Sequence, residues 1–306
     1  MTNLVETLTA SHLVRKTRAQ KTAFSAWLSD ELSSMGYKVK SEKGGIATNI
    51  IVGDPETAEI LLSAHYDTPA VLFVPNFLSP GNLPLFIFYQ FVLSALIIAA
   101  GALAAWLVSF FAGFMWSVTA FYLVMLLLLL SMMIGPANKR TYNDNTSGVA
   151  TLLSIAAALP KESRDKVCFL FFDFEELGMI GARAFAKRHP DAAEKLLFNF
   201  DCVGDGNHML FILPRKIRVD SAFVEKLSSF FPLTDDLRFS VPKGLMIFPS
   251  DQVCFPRGAA VAAFHRLPMV GYYVGRIHTP RDTVMIARNI DILTDIMISY
   301  VVRHGN

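Results

Sequence analysis

Charge is missing from one long stretch: between Asp67 and Lys139 the chain has no Asp, Glu, Lys or Arg. Over all 306 residues 18% are charged and 53% are apolar, which is too oily for an ordinary soluble enzyme. Outside that stretch the composition is that of a normal globular domain, so the excess belongs to one insert. Cysteine is also scarce. Cys168, Cys202 and Cys254 are an odd number without metal-site spacing, and read as small core residues of a protein from a reducing compartment. The formal charge of +2, with no basic stripe, gives no ground for a nucleic-acid partner. The start, Met-Thr-Asn-Leu-Val-Glu, lacks a basic segment followed by an apolar core, so no signal peptide is expected. Internal repeats and low-complexity tails are absent as well.

What fills the uncharged stretch is two apolar runs, about 84–108 and 114–135. At 1.5 Å per residue each is long enough to cross a hydrocarbon core of ~30 Å. The link Phe111-Ala-Gly-Phe114 is short, which predicts a tight hairpin of two transmembrane helices within an insert covering 69–138. Residues 1–68 and 139–306 then form a single domain on one side of the bilayer. Lys139-Arg140 follows the second span directly, and the positive-inside bias puts that domain in the cytoplasm. The expectation is an integral protein of the plasma (bacterial inner) membrane, with the lipid bilayer as partner and the hairpin as a surface for homo-oligomer formation.

The remaining sequence alternates strand and helix patterns. Val167-Cys-Phe-Leu-Phe-Phe172 is an apolar run that ends in Asp173-Phe-Glu175-Glu176, as expected of a strand buried on both faces of a parallel sheet. Glu59 to Ala64 delivers His65-Tyr66-Asp67, and Leu196 to Phe200 delivers Asp201. Further strands are expected at Tyr37–Val39, Thr48–Val52, Met209–Leu213, Ala259–Phe264 and Met269–Val274. Helices are expected over Leu13–Met35, Val149–Leu159, Leu177–Arg188, Ser221–Phe230 and Ala287–Val302. The fold class is α/β: a mixed, largely parallel central sheet flanked by helices, plus the membrane hairpin. In such sheets ligands bind beyond the carboxyl ends of the strands, where these polar clusters fall.

His65/Asp67, Asp144, Glu175/Glu176, Asp201 and His278 combine two imidazoles with several carboxylates, which suits Zn²⁺ or a similar cation. A carboxylate left over from metal binding can act as general base. His65-Tyr-Asp67-Thr, Asn143-Asp144-Asn-Thr-Ser-Gly148, Phe172-Asp-Phe-Glu175-Glu176-Leu-Gly178, Asn199-Phe-Asp201 and His278-Thr-Pro-Arg-Asp282-Thr together resemble the di-zinc exopeptidases of metallopeptidase family 28. That family holds bacterial aminopeptidases, glutamate carboxypeptidase-like enzymes and glutaminyl cyclases, with a zinc-exopeptidase fold. Ser250-Asp251-Gln252-Val-Cys-Phe255 is similar to its Ser-Asp-His-x-x-Phe motif, with Gln252 in place of His.

The resemblance implies two zinc ions per chain bridged by Asp144, with His65 and Asp201 completing one site and Glu176 and His278 the other. It implies Glu175 as the general base that moves a proton from the attacking water to the leaving amine, and Asp67 as the residue that orients His65. Asp282 is expected to brace the His278 loop and Asp205 to shape a turn. Tyr272 or Tyr273 is expected to pack, or else to donate to an oxyanion, and Arg257, Arg276 and Arg281 are unranked candidates for a substrate carboxylate. The other histidines, His12, His189, His208, His265 and His304, read as surface or core residues.

The expected activity is hydrolysis of peptide or acyl-amino-acid amide bonds by an aminopeptidase-like metallopeptidase. Alternatives are a one-metal cyclotransferase like glutaminyl cyclase and a non-catalytic receptor or scaffold relative. The hairpin departs from the family pattern, since it separates His65 from Asp144. It is read either as an anchor alone or, with the uncharged Val71, Leu72, Phe73, Val74, Phe77 and Leu78 before the first span, as an apolar wall that favours membrane-associated substrates.

Overall fold

The computed structural model describes residues 2–72, 74 and 76–304 and forms one mixed sheet of nine strands. The strands are β1 (Val39–Gly44), β2 (Ala47–Val52), β3 (Ile60–His65), β4 (Val167–Phe172), β5 (Leu196–Phe200), β6 (His208–Ile212), β7 (Arg238–Ser240), β8 (Gly258–Leu267) and β9 (Gly271–Tyr273). Their order is β1-β2-β4-β3-β5-β8-β6-β7, with β9 paired to β8. The centre, β4-β3-β5-β8, is parallel, and the antiparallel pairings lie to either side of it.

The helices are α1 (Thr2–Ser11), α2 (Arg18–Ser34), α3 (Leu83–Ser109), α4 (Phe114–Ile134), α5 (Gly148–Ala158), α6 (Ile180–Arg188), α7 (Pro190–Ala193), α8 (Arg215–Arg218), α9 (Ser221–Ser228) and α10 (Ala287–His304). Strand β4 shows why the sheet needs cover on both faces. Val167, Phe169 and Phe171 enter one core with residues of α1, α2, α5 and α10; Cys168, Leu170 and Phe172 enter the other, with Ala182 and Phe185 of α6. That is the period-two alternation of a strand, and each such large side chain contributes about 1.5–3 kcal/mol on burial.

The apolar runs form α3 and α4, within one residue of their expected ends. A core helix would be mostly covered, whereas the buried residues here are Gly101 of α3 and Ser117 of α4. Gly101 has a packing reason: a Cβ there would lie 3.1 Å from the backbone oxygen and ring of Phe121, so the helices approach closely.

Four expectations need correction: the strand read as Tyr37–Val39 runs over Val39–Gly44, the strand read as Met269–Val274 shrinks to Gly271–Tyr273 behind a turn at Met269, and two helices start later. The helix read as Leu13–Met35 begins at Arg18, where Thr17 and Gln20 form a reciprocal capping box. The preceding residues form a loop because Arg15 turns inward, and α1 lies before it. The helix after the Glu pair starts at Ile180 rather than Leu177, since Phe174 and Met179 have left-handed φ of 58° and 60°. Phe73 of the proposed apolar wall lies outside the described residues.

Candidate metal centre

In-register pairing brings the polar residues to one edge of the sheet. His65 ends β3 opposite Phe172 of β4, and Ser63 lies opposite Asn199 of β5, so all three parallel strands stop at one level. Asp144 comes from the wholly buried loop 143–147 before α5. Three side chains hold that loop. Asn143 Oδ1 accepts from Gly204 and Asp205 N–H (2.7 and 3.0 Å), Asn145 Nδ2 donates to the Phe200 carbonyl (2.9 Å), and Asp282 accepts from Asn143 and Asp144 N–H (2.8 and 3.0 Å). The Asp282 carboxylate therefore braces the Asp144 loop, while its own N–H closes the segment after His278 onto the Thr279 carbonyl (3.1 Å).

Around Asp144 the two histidines divide its oxygens. His65 Nε2 is 3.3 Å from Oδ1 and His278 Nε2 is 2.9 Å from Oδ2. Asp201 Oδ1 lies 3.7 Å from the same His65 nitrogen, and Glu176 Oε2 lies 3.4 Å from that of His278. Asp67 sits behind. Its Oδ1 is 3.5 Å from His65 Nδ1, a contact rather than a formed hydrogen bond, and its two oxygens accept from Glu175 and Glu176 N–H.

The electrostatics is that of an anion cluster. Burial disfavours charge on Asp144, but His278 and His65 outweigh it and hold its carboxyl below the ordinary range. Burial lifts Glu175 well above that range, reinforced by Glu176 and Asp251. Burial also lifts Glu176, with Asp144 adding to it. His65 and His278 are raised despite burial, through their carboxylate partners. Asp144 Oδ1, Glu176 Oε1, Asp201 Oδ1 and His65 Nδ1 lack hydrogen-bond partners among the described residues. Buried polar atoms left so are costly, and converging carboxylate and imidazole atoms fit divalent cations of the zinc type. Cys202 also approaches Asp144 and Asp201, and burial with those two carboxylates pushes its thiol well up.

A model of peptidase family M28 matches residues 131–301, more than half of the chain. The chain belongs to peptidase family M28. Matched residues include Asp144, Glu175, Glu176, Asp201 and His278; His65 and Asp67 lie before the match and join the site through β3. Members of the family are typically zinc-dependent, so the chain is a metallopeptidase by family. Solved structures share the fold. The Legionella pneumophila LapA aminopeptidase is 14% identical at a TM-score of 0.55, with 98% of this chain and 67% of that one covered. LapB from Legionella pneumophila is 14% identical at a TM-score of 0.57, covering 99% and 70%. Fimbriiglobus ruber glutaminyl cyclase is 13% identical at a TM-score of 0.55, covering 98% and 92%. No curated protein sequence matches the chain.

Sequence reasoning missed one buried residue and left another without a role. Arg15 is fully buried and donates to the Tyr66 carbonyl and Thr146 Oγ1, tying the segment after His65 to the Asp144 loop. Nothing in Val-Arg-Lys-Thr-Arg set it apart from the other basic residues. Asp251, quoted only as part of a motif, is wholly buried beside Glu175, with both oxygens unpartnered among the described residues. Gln252 serves the structure, since its Nε2 donates to the Phe248 carbonyl (2.6 Å) and its Oε1 accepts from Asn199 (3.2 Å). Of the unranked arginines, Arg276 pairs with Asp205 at 3.3 Å, and Asp205 also meets His265. Tyr273 stacks on Phe77, as packing predicts.

Proposed function

We propose that this chain is a membrane-anchored di-zinc exopeptidase, of aminopeptidase type, that hydrolyses peptide or related amide bonds in hydrophobic or membrane-associated substrates. The observation that carries the two-metal reading is the division of Asp144: one oxygen faces His65 with Asp201, the other faces His278 with Glu176. His65, Asp201 and Asp144 would hold one ion; His278, Glu176 and Asp144 the other. A one-metal arrangement leaves one of these imidazole–carboxylate sets without a role, which disfavours the cyclotransferase alternative. Zinc ions held by these residues would supply a water of lowered pKa and polarise the scissile carbonyl.

The chain's own residues do the rest. Glu175, spared from the metal set and raised by burial, accepts the proton of the attacking water and returns it to the leaving nitrogen. Asp67 fixes the backbone of Glu175 and Glu176 and steadies the His65 ring. The hairpin supports the substrate class. Ala70 bridges Ala137, Val71 N–H donates to the Pro136 carbonyl, and Leu72 N–H donates to the His278 carbonyl (both 2.8 Å). Both ends of the insert thus meet beside a metal-site histidine. A cavity of about 140 Å³ between α3 and α4 is lined by Leu72 and Val74 of this connection together with Leu93, Leu96 and Leu128 among others.

The test is elemental analysis of chelator-free protein together with a library of peptides, N-acyl amino acids and N-terminal Gln peptides. Two zinc-like ions per chain and release of single residues are expected. One ion with cyclisation of N-terminal Gln would overturn the reading in favour of the cyclotransferase.

A further inference from the structure

The loop joining β8 to β9 carries apolar side chains outward beside the start of α3. Met269 is 98% exposed and Leu267 is exposed next to it. Val270 N–H closes onto the Pro268 carbonyl at 2.8 Å across Met269, whose φ of 64° is left-handed. A non-glycine residue is disfavoured in that conformation, and the side chain gains no packing within the chain to offset it. Asn82, the N-cap of α3, donates to the carbonyls of Met269 and Val270 at 3.1 and 3.2 Å. The tip is therefore level with the first turn of the apolar helix. Leu83 and Leu245 are exposed as well, and the loop carrying Leu245 is held to the same approach by Ile247 N–H on the Pro80 carbonyl (2.8 Å).

Between tip and helix lies a cavity of about 650 Å³ lined by Arg238, Arg266 and His208. No Asp or Glu lines it. Neither guanidinium forms an ion pair among the described residues; Arg266 lies over the Tyr272 ring, 5.4 Å from its centroid. Exposed apolar side chains beside unneutralised arginines match the bilayer interface, where acyl chains and phosphates meet. Arginine forks suit phosphate oxygens.

We propose that the β8–β9 tip is a second membrane contact, with Met269 and Leu267 entering the interface, and that Arg238 and Arg266 bind the phosphate of an anionic phospholipid headgroup in the adjoining cavity. This rests on α3 and α4 being membrane spans. A helical anchor alone leaves the domain free to tilt; the tip supplies a second point that fixes it. Because Tyr273 of β9 stacks on Phe77, the tip also bears on the segment that runs from the metal site to α3.

The experiment uses the full chain in lipid nanodiscs of phosphatidylcholine with or without phosphatidylglycerol. Spin labels are placed one at a time at Met269→Cys, Leu123→Cys in α4 and Leu233→Cys in the exposed segment between α9 and β7, over Cys254→Ser. Oxygen and nickel-chelate accessibility then reports depth. The expected order is Leu123 in hydrocarbon, Met269 at the acyl boundary and Leu233 in water. A Met269 label in water with the Leu123 label in hydrocarbon overturns the proposal and leaves the spans standing. Both in water overturns the membrane reading itself, and the proposal with it. For the headgroup, native mass spectrometry of released protein measures retained lipid. Arg238→Gln and Arg266→Gln should each lower phosphatidylglycerol retention about fivefold relative to phosphatidylcholine; unchanged retention overturns the headgroup assignment.

Discussion

Asp67 Oδ1 accepts the backbone N–H of Glu175 at 3.0 Å, and its other oxygen accepts that of Glu176 at 3.3 Å. One carboxylate thus sets the position of both the proposed base and a proposed ligand while also facing His65. Asn at this position keeps the shape but offers one acceptor oxygen and a competing NH₂ donor. Asp67→Asn should therefore lower kcat/KM by about 10–100-fold, the usual effect of losing a metal-supporting partner. Zinc affinity measured by competition with a chelator should weaken over the same range. Unchanged affinity and rate would mean that the backbone after β4 holds itself.

The two glutamates should separate by assay. Glu175→Gln is expected to retain fold and metal while losing about 10²–10⁴-fold in kcat, the span of general acid–base catalysis. Glu176→Gln removes a carboxylate that faces His278 and should lower metal content. Elemental analysis and turnover on the two variants, side by side, decide the assignment; the reverse pattern exchanges their roles.

Much of this was legible from residue order because the strands advertise themselves. Apolar runs ending in His65, Glu175–Glu176 and Asp201 are a direct record of buried parallel strands delivering polar residues at their carboxyl ends, and the two uncharged runs match α3 and α4 to within a residue. Long-range polar bonds leave no such record. Arg15 is one basic residue among several until the fold turns it under Tyr66, and the inward turn is what breaks the helix expected from Leu13. The same holds for Asp282. It is adjacent in sequence to the His278 loop, yet its oxygens accept from Asn143 and Asp144, a pairing that periodicity cannot encode. The left-handed residues Phe174 and Met179 delay α6 because the chain must first aim the Glu pair.

Arg15 gives a stability prediction. Its guanidinium is buried and bonds the Tyr66 carbonyl, the His12 carbonyl and Thr146 Oγ1. Arg15→Met fills similar volume but leaves these acceptors unmade, at about 1–3 kcal/mol for each buried group. A clear fall in the melting temperature of detergent-purified protein is expected, with Arg15→Lys intermediate because it keeps charge without the planar fork. Equal melting of Arg15→Met and wild type would show that the loop 12–17 is not held this way.

Topology follows from Lys139-Arg140 after α4 and from Lys16, whose ammonium donates to the Met133 carbonyl at 3.2 Å. These cations lie on the domain side of the hairpin, so the domain should face the cytoplasm. An introduced Leu233→Cys, on the exposed surface, should react with a membrane-impermeant maleimide only after cells are opened. Reaction in intact cells places the domain outside.

The last prediction joins the hairpin to substrate choice. Leu72 N–H is bonded to the carbonyl of His278, and Leu72 also lines the apolar cavity between α3 and α4, so one residue links the metal-site loop to that cavity. Each methylene buried along that path adds about 0.8 kcal/mol, or roughly fourfold in affinity. In a series of acyl-amino acids differing only in tail length, KM should fall stepwise while kcat stays level, because the tail binds alike in ground and transition states. Replacing residues 74–135 by a short Gly/Ser loop should flatten the series, with cleavage of short polar peptides retained. A wild type indifferent to tail length, or a loop variant with the same dependence, would reduce the hairpin to an anchor.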